Sequence, residues 1–402
     1  GESESRKMAS RVMMAVTLPA IAVAMTASVT RPMLMRQIGN SDLLVSECSL
    51  GGMTWGHQNT QEQAAEQLNL AFESGVNFLD TAEGYPVPIK PETAGLSDLA
   101  IAKWMATERR PRDSVILSSK VCGYNDRYTW FRENGEGTQL SKAQIHESVD
   151  KSLKRLNTDH LDLLTFHWPE RPIGLTGGEA TNGRSREETP FATQVEAIGE
   201  LIAAGKIRHW GLSNENAHGV GAFLQACNET GVATPVCVQS AYSLLQRGDE
   251  RELIASLGFG DEDSHLSSAI SYLPYSPLCG GVLSGKYAAS AQKPSTTPKR
   301  SRRLGLVKGY ENSFLTSKAP AAVQSYVAVA RKHGLTPAQL AIALCNSRQF
   351  VASTVIGATS LEQLAENLEG FRVEWTAEME ADVLSVYNRI PDPWRVQVAG
   401  MG

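Results

Sequence analysis

The sequence has no C-x-x-C pair and no group of cysteine and histidine residues at the spacing of a zinc site. Its six cysteines are scattered over 402 residues, which is typical of reduced, mostly buried thiols in an intracellular protein. A strong charge imbalance is also missing, because 38 basic and 43 acidic side chains give a net charge of -5. We therefore expect neither a metal site nor a nucleic-acid-binding surface.

A hydrophobic run long enough for a comfortable membrane span is lacking as well. The nearest candidate lies between Arg11 and Arg31, where Pro19 interrupts the apolar residues and no acidic residue occurs. A basic, acid-poor composition rich in Ser, Thr and Ala favours an organelle transit peptide over residues 1–33, with a plastid as one destination. A secretory signal and a disordered tail are the alternatives for this segment. We expect a soluble intracellular protein without stable membrane insertion, with the cytoplasm as the alternative location.

From residue 34 to residue 390, short apolar runs alternate with amphipathic segments. A turn at Gly39-Asn40 between two apolar runs predicts a β-hairpin first. Capping motifs that begin at Thr60, Ser141 and Thr336 predict helix starts. The predicted strands that follow the hairpin are residues 48–50, 76–79, 115–119, 161–166, 207–212, 236–238, 270–274 and 354–356. This order predicts an α/β fold, a (β/α)8 TIM barrel with extra C-terminal helices, followed by a tail over residues 391–402.

A doubly wound open sheet is the competing fold, and it would carry a G-x-G-x-x-G turn after its first strand. The turn found there reads Gly51-Gly52-Met53-Thr54-Trp55-Gly56, which does not match. The segment 280–286 resembles a phosphate-binding P-loop, but Tyr287 stands where Ser or Thr must bind magnesium. Neither nucleotide-binding motif is therefore accepted.

Three predicted strands end at polar side chains. Asp80, Lys120 and His167 each end an apolar run, and Tyr85 lies in the loop after Asp80. In a barrel of parallel strands these ends meet at one rim, where the active sites of such barrels lie. Each residue alone has an ordinary interpretation, as a turn cap, a surface lysine, a packed tyrosine or a core histidine. Their joint occurrence indicates a shared site.

The four side chains suit the reduction of a carbonyl group. A tyrosine has an unperturbed pKa of about 10, so it needs help to act as an acid near neutral pH. A nearby ammonium such as that of Lys120 favours the phenolate form, and Asp80 can hold Lys120 by an ion pair. His167 can orient the substrate oxygen while Tyr85 delivers a proton as hydride arrives.

Four stretches that contain these residues resemble the aldo-keto reductase superfamily. They are residues 77–85, the strand that ends at Lys120, and residues 159–169 and 206–214. The resemblance covers residues 34–390, and the long loops after Lys120 and His167 are similar to the Tas-like branch, to which potassium-channel β subunits are related. It implies a (β/α)8 barrel, a catalytic tetrad of Asp80, Tyr85, Lys120 and His167, and an NADP-dependent reductase of the EC 1.1.1 type.

The resemblance also implies NADPH/NADP+ lying across the rim. The implied cofactor-binding residues follow from the first barrel turn to the adenosine end: Gly52, Thr54, Trp55, Ser213, Asn214, Gln239, Tyr275, Ser276, Pro277, Leu278, Gly281, Ser284, Lys286, Tyr287, Arg303, Gly357, Thr359, Gln363, Glu366 and Asn367. Ser213, Asn214 and Gln239 match residues that hold the nicotinamide carboxamide, and Tyr275 matches the aromatic residue that stacks on its ring.

The other cofactor matches concern phosphates and the adenosine. Residues 276–287 match the loop that covers the pyrophosphate. The basic run 299–303 could pair with a 2′-phosphate, and a solvated loop is the alternative interpretation. Gln363, Glu366 and Asn367 share one helical face, and the N-terminus of that helix favours anionic groups.

Two functions remain open from the sequence. An NADPH-dependent reductase of small carbonyl substrates is favoured by the intact tetrad. The alternative is an NADPH-binding regulatory or redox-sensor subunit with slow turnover. The loops 121–140 and 168–190 would form the substrate pocket, and aromatic residues in the first hint at planar or medium-sized carbonyls. The sequence identifies neither the physiological substrate nor the oligomeric state.

Overall fold

The computed structural model describes residues 31–171, 188–257, 259, 269–287 and 314–394, and its first element is a β-hairpin. Strands β1 (Met35–Gln37) and β2 (Leu44–Ser46) pair antiparallel, as predicted. Gly39 in the turn has φ of +49°, and a Cβ atom there would lie 2.3 Å from the carbonyl oxygen of Ala269. Glycine is therefore required for the hairpin to approach the rest of the fold this closely.

Eight parallel strands in the described residues close into a barrel. Successive strands pair side by side, and the last strand closes the ring against the first. The strands are β3 (Cys48–Gly51), β4 (Phe78–Asp80), β5 (Ile116–Val121), β6 (Leu161–Phe166), β7 (Ile207–Ser213), β8 (Cys237–Ala241), β9 (Ser271–Tyr275) and β10 (Thr354–Ile356). The closed ring confirms the predicted (β/α)8 barrel and excludes a doubly wound open sheet.

Helices cover the outside of the barrel. Within the described part of the chain they are α1 (Gln61–Glu73), α2 (Leu96–Thr107), α3 (Lys142–Leu156), α4 (Phe191–Ala203), α5 (Ala217–Thr230), α6 (Leu253–Ser256), α7 (Ala319–Lys332), α8 (Pro337–Asn346), α9 (Leu361–Gly370) and α10 (Ala377–Arg389). Their apolar faces join the strands in a large buried core. Of the helices described, none is both long enough and apolar enough to cross a membrane.

The two ends of the barrel are closed differently. The hairpin residues Ile38, Leu43 and Val45 pack with Phe78 and Leu163 in a separate apolar cluster at the amino-terminal end of the strands. The opposite rim, where the strands end, carries long loops and an open cleft. The barrel interior is thus filled at one end and accessible at the other, as in other barrels of this type.

Two helix starts are capped as the sequence predicts. The Thr60 hydroxyl accepts from the backbone N–H of Gln63, and the Thr336 hydroxyl accepts from that of Gln339 at 3.2 Å. In both cases the side-chain oxygen of the glutamine accepts a hydrogen bond from the backbone N–H of the cap residue. These reciprocal bonds satisfy two donors that the first turn of a helix leaves unpaired.

The capping motif predicted at Ser141 is wrong, although α3 does begin there. Ser141 makes no side-chain capping bond. Gln144, three residues on, is used elsewhere, because its side-chain oxygen accepts from the backbone N–H of Gln139 and from Arg132. Gln144 is therefore bonded to the long loop before α3, and its side chain does not complete the capping box.

The helix predicted over residues 250–257 is much shorter in the structure. A 3-10 turn occupies Gly248–Glu250, and α6 starts only at Leu253. The Glu250 carboxylate accepts from Tyr242 and Arg247, and Asp249 accepts from Tyr272 at 2.7 Å. These bonds turn both acidic side chains inward, which a regular helix from residue 250 would not allow. All six cysteines are buried free thiols. Residues 1–30, most of the loop 168–190, Arg303 and the end of the tail lie outside the described residues.

The capped start of α8 allows a direct stability test. Replacement of Thr336 by alanine removes one capping acceptor, and we expect it to lower the free energy of unfolding by about 1 kcal/mol. The matched control is Ser141→Ala, which removes a half-buried hydroxyl from a helix start where no capping bond is present. Urea denaturation should show a clear shift of the midpoint for Thr336→Ala and a smaller one for Ser141→Ala. Equal shifts would contradict the capping assignment.

Candidate active site

The carboxyl ends of three neighbouring strands bring the predicted catalytic residues together. Asp80 is the last residue of β4, Lys120 lies one residue before the end of β5, and His167 follows β6 directly. Tyr85 lies in the loop after β4, with its backbone N–H bonded to the carbonyl of Ala82. The parallel register of β4, β5 and β6 places these ends at one rim.

The centre of the site is a buried ion pair. The Lys120 ammonium lies 2.5 Å from the Asp80 carboxylate, and these side chains are 0% and 2% exposed. The ammonium also donates to the Thr81 carbonyl at 2.9 Å. The second Asp80 oxygen accepts from the Gln239 side chain at 2.9 Å. Both charged groups are thus held by additional hydrogen bonds, as buried ions require.

Burial and charge act on Lys120 in opposite directions. Burial lowers the pKa of Lys120, whereas the Asp80 charge and hydrogen bond raise it, and the net shift is downward. The close carboxylate nevertheless favours the ammonium form. The ammonium nitrogen is 4.8 Å from the centroid of the Tyr85 ring, which places a positive charge against the phenol.

His167 lines the cleft beside Tyr85. Its ring centroid is 5.5 Å from that of Tyr85, with an edge-on arrangement. Burial, and secondarily the charge of Lys120, hold the pKa of His167 well below its usual range. The ring is therefore neutral near pH 7, with one nitrogen as donor and the other as acceptor. Its buried Nδ1 atom has no hydrogen-bond partner within the described residues.

Backbone contacts fix His167 between two strands. Its N–H donates to the carbonyl of Val121 at 2.8 Å, and its carbonyl accepts from the Asn214 side chain at 2.8 Å. Asn214 is in the left-handed region with φ of +57°, which asparagine tolerates better than most residues. The Asn214 oxygen also accepts from the Tyr275 hydroxyl at 2.7 Å. The ends of β7 and β9 thereby support the histidine.

A cleft of about 540 Å³ opens above these residues. Most of the predicted catalytic and cofactor-binding residues line it: Asp80, Tyr85, His167, Thr54, Ser213, Asn214, Gln239, Tyr275, Ser276, Pro277, Leu278, Gly281, Ser284, Lys286, Tyr287, Gly357, Thr359, Gln363, Glu366 and Asn367. Lys120 lies beneath, in contact with Asp80. Most of the site residues predicted from the sequence thus line one cavity.

Besides Lys120, two of the described residues from that set do not line the cleft. Trp55 is fully buried, and its indole N–H donates to Gln67 at 2.9 Å, so its side chain packs behind the first barrel turn. Gly52 donates its backbone N–H to the carbonyl of Asp80 at 2.8 Å. Both support the turn that carries the lining residues Met53 and Thr54.

Several residues that line the cleft were not predicted from the sequence. Met53, Val87 and Pro88 form apolar walls near Tyr85, and Ala338 contributes from α8; Trp168, which also lines the cleft, belongs to the loop 168–190 that was expected to form the pocket. Val87 and Pro88 lie just beyond residues 77–85, the stretch that resembles the family, and Met53 lies between Gly52 and Thr54 without a polar group that would mark it. Ala338 could not be predicted from the sequence, because a small apolar residue in a helix has no polar or reactive group that would indicate a binding site.

The polar and charged groups in the rest of the lining suit a ligand as large as a dinucleotide. Amide and hydroxyl groups of Ser213, Asn214 and Gln239 lie near the tetrad, and Lys286 provides a cation farther along the cleft. At the far end, Ser360 caps α9, and the Gln363 side-chain oxygen accepts from the Thr359 backbone N–H. Polar, cationic and helix-terminal groups follow one another as an elongated, anionic ligand requires.

Comparisons with known proteins agree with this geometry. The sequence model described as the Aldo/keto reductase family matches residues 47–388. "Protein tas" of Escherichia coli (strain K12) is 37% identical over 358 residues, covering 87% of this chain and 96% of that protein. "Aldo-keto reductase" of Babesia bovis is 36% identical over 264 residues, covering 63% and 88%.

A more distant relative is "Probable voltage-gated potassium channel subunit beta" of Oryza sativa subsp. japonica. It is 29% identical over 342 residues, covering 84% of this chain and 91% of that protein. These comparisons confirm the resemblance drawn from the sequence, including its Tas-like branch.

The buried ion pair makes stability depend on pH in a specific way. Asp80→Asn leaves the Lys120 ammonium without its counter-charge, and we expect a loss of about 3–5 kcal/mol of unfolding free energy near neutral pH. In the variant, the Asp80 charge and hydrogen bond that raise the pKa of Lys120 are gone and burial alone lowers it, so the folded variant binds that proton more weakly than the folded wild type does. The loss should therefore shrink as the pH rises toward about 10, where an unfolded lysine also releases its proton.

The matched control is Asp162→Asn. Asp162 is buried and pairs with Arg112 and Arg208, which stay protonated throughout this range. Denaturation curves between about pH 7 and about pH 10 should show a shrinking deficit for Asp80→Asn and a constant one for Asp162→Asn. A constant deficit for both would contradict the role of the lysine.

Proposed function

The chain belongs to the aldo/keto reductase family and is thus an oxidoreductase, and we propose that it reduces aldehyde or ketone carbonyls to alcohols with NADPH. The observation that supports this most directly is the contact of the Lys120 ammonium with the ring of Tyr85, which lines the cleft beside a neutral His167. A proton donor, its activating charge and a neutral hydrogen-bond donor are the groups that carbonyl reduction requires.

The roles follow from the chemistry of each side chain. We propose that neutral His167 donates a hydrogen bond to the carbonyl oxygen and orients it. Bound NADPH would supply the hydride for the carbonyl carbon. Tyr85 gives its phenolic proton to the developing alkoxide, so the product is the alcohol. The Lys120 ammonium stabilises the resulting phenolate, and Asp80 keeps that ammonium in place.

We propose that the cofactor is held by the lining described above. Ser213, Asn214 and Gln239 would bind the carboxamide of the nicotinamide, beside Tyr275. Lys286 and the turn 276–287 would bind the pyrophosphate. Gln363, Glu366 and Asn367 would contact the adenosine end, where the N-terminus of α9 favours phosphate. Arg303, proposed for the 2′-phosphate, lies outside the described residues.

A second candidate is supported by the relative named as a probable potassium-channel β subunit. In that case the chain would bind NADPH as a regulatory or redox-sensing subunit and turn over slowly. The complete tetrad at the cleft favours the reductase. Stopped-flow oxidation of bound NADPH with a panel of aldehydes and ketones separates the candidates, because tight cofactor binding with no oxidation contradicts the reductase.

Tyr85→Phe tests the proton donor. The substitution keeps the ring and removes only the hydroxyl, so we expect kcat to fall by about 10²- to 10⁴-fold while the NADPH Kd is unchanged. Tyr326→Phe is the matched control, because Tyr326 is buried in α7 and does not line the cleft. It should retain the wild-type rate. A near-wild-type rate for Tyr85→Phe would show that another group supplies the proton.

The choice of cofactor is tested by removing two cations. Lys286→Ala combined with Arg303→Ala should weaken the binding of both dinucleotides through the shared pyrophosphate, and that of NADPH much more than that of NADH, because only NADPH carries the 2′-phosphate proposed for Arg303. Fluorescence titration with both dinucleotides gives the two Kd values. An equal loss for NADPH and NADH would argue against a 2′-phosphate site at these residues.

A further inference from the structure

A second buried ion pair lies beside the site and outside the tetrad. The guanidinium of Arg132 donates to both carboxylate oxygens of Glu83, at 2.7 and 2.9 Å. The side chains are 0% and 2% exposed. Burial raises the pKa of Glu83, but the charge of Arg132 and the hydrogen bonds outweigh burial, so the net shift is downward and the pair is ionic near pH 7.

Glu83 holds the loop that carries Tyr85 against the strand that carries Lys120. The backbone N–H of Glu83 donates to the Lys120 carbonyl at 3.2 Å. Its side-chain oxygen accepts from the backbone N–H of Cys122 at 2.7 Å. Glu83 therefore brackets residues 120–122 with its backbone and its side chain, and Tyr85 follows two residues later.

Arg132 connects the same carboxylate to the long loop after β5. Its Nε donates to the Gln144 side chain at 3.0 Å, and Gln144 in turn donates to the Gly137 carbonyl at 3.1 Å. The preceding residue, Phe131, packs 5.8 Å from Tyr128, and both belong to the apolar cluster that contains Tyr85. The ion pair thus fastens the aromatic part of this loop to the segment that carries Tyr85.

We propose that Glu83 and Arg132 are positioning residues that set the placement of Tyr85 relative to Lys120 and thereby the efficiency of proton delivery. This inference rests on the proposed role of Tyr85. Neither residue lines the cleft, so both act through the chain that Glu83 brackets. A displacement of about 1 Å at reacting groups can lower a rate by about 10²-fold, so such a clamp has a measurable kinetic effect.

The same kind of clamp at the other end of β5 supplies a matched control. Asp162 accepts from Arg112 at 2.7 Å and from the backbone N–H of Leu117 at 2.9 Å. Glu83 accepts from Arg132 and from the N–H of Cys122 in the corresponding manner. Both clamps join a buried carboxylate to an arginine and to a backbone N–H at one end of β5, and Asp162 is in addition paired with Arg208 at 2.8 Å.

The test compares two double variants. Glu83→Gln with Arg132→Met removes both charges but keeps an oxygen for the Cys122 N–H, so no buried charge is left unpaired. Asp162→Asn with Arg112→Met removes the corresponding pair at the opposite end, where the partly exposed Arg208 keeps its ion pair with Asp42. If Glu83→Gln/Arg132→Met does not fold, Arg132→Lys keeps the charge while losing the paired hydrogen bonds, and it is measured instead.

We expect Glu83→Gln/Arg132→Met to lower kcat by about 10- to 100-fold, with the NADPH Kd unchanged. The control variant should keep the wild-type kcat. Because the ammonium acts less on the phenol, the alkaline decline of kcat should move to higher pH in the first variant only. A wild-type kcat and pH profile in the first variant, or equal losses in both, would overturn the proposal.

The titration of Tyr85 can be measured without turnover, so it tests the positioning role separately from the proposed reductase activity. In protein labelled at the tyrosine Cζ carbon, the NMR signal missing from Tyr85→Phe identifies Tyr85. Its titration midpoint should rise by about half a unit or more in Glu83→Gln/Arg132→Met and stay constant in the control. A wild type that reduces no carbonyl contradicts the proposed function, whereas an unchanged midpoint contradicts the positioning role.

Discussion

The buried ammonium of Lys120 is the constraint on which the rest of the site depends. An unpaired ammonium in the interior of a barrel would be strongly unfavourable, so a carboxylate must lie against it. Asp80 meets that requirement from the neighbouring strand, and the Thr81 carbonyl and Gln239 complete the hydrogen bonding. Lys120 then provides a fixed positive charge beneath the cleft, against the ring of Tyr85.

That charge determines the behaviour of its neighbours. It lies against the ring of Tyr85, and together with burial it keeps His167 neutral. A protonated histidine would repel the lysine and would add a second buried charge. The tetrad therefore has one cation, one anion and two neutral polar rings, and the phenolate that would form when Tyr85 gives up its proton lies against the Lys120 ammonium, which favours it.

The sequence predicted the barrel and the rim residues because both follow from local patterns. Asp80 and His167 stand out as polar residues that end apolar strands, and Thr60 and Thr336 begin helices by a local capping rule. Ser141 fails by the same rule, because Gln144 is drawn to Arg132 in a loop twelve residues away. Trp55 and the short α6 likewise depend on partners distant in sequence, namely Gln67 and Tyr272. Contacts of that kind are decided by tertiary packing, which a local pattern does not record.

The long loop after β5 shows why such contacts matter for function. Ordering about twenty residues has a large entropic cost, and the partly exposed Trp130 on this loop returns little of it by burial. Arg132 is the point at which the loop gains a buried, bidentate partner. Because that partner is Glu83, the ion pair that orders the loop also holds the segment that carries Tyr85 in place. A loop fixed elsewhere could cover the cleft equally well, but it would leave the placement of Tyr85 to the short turn after β4.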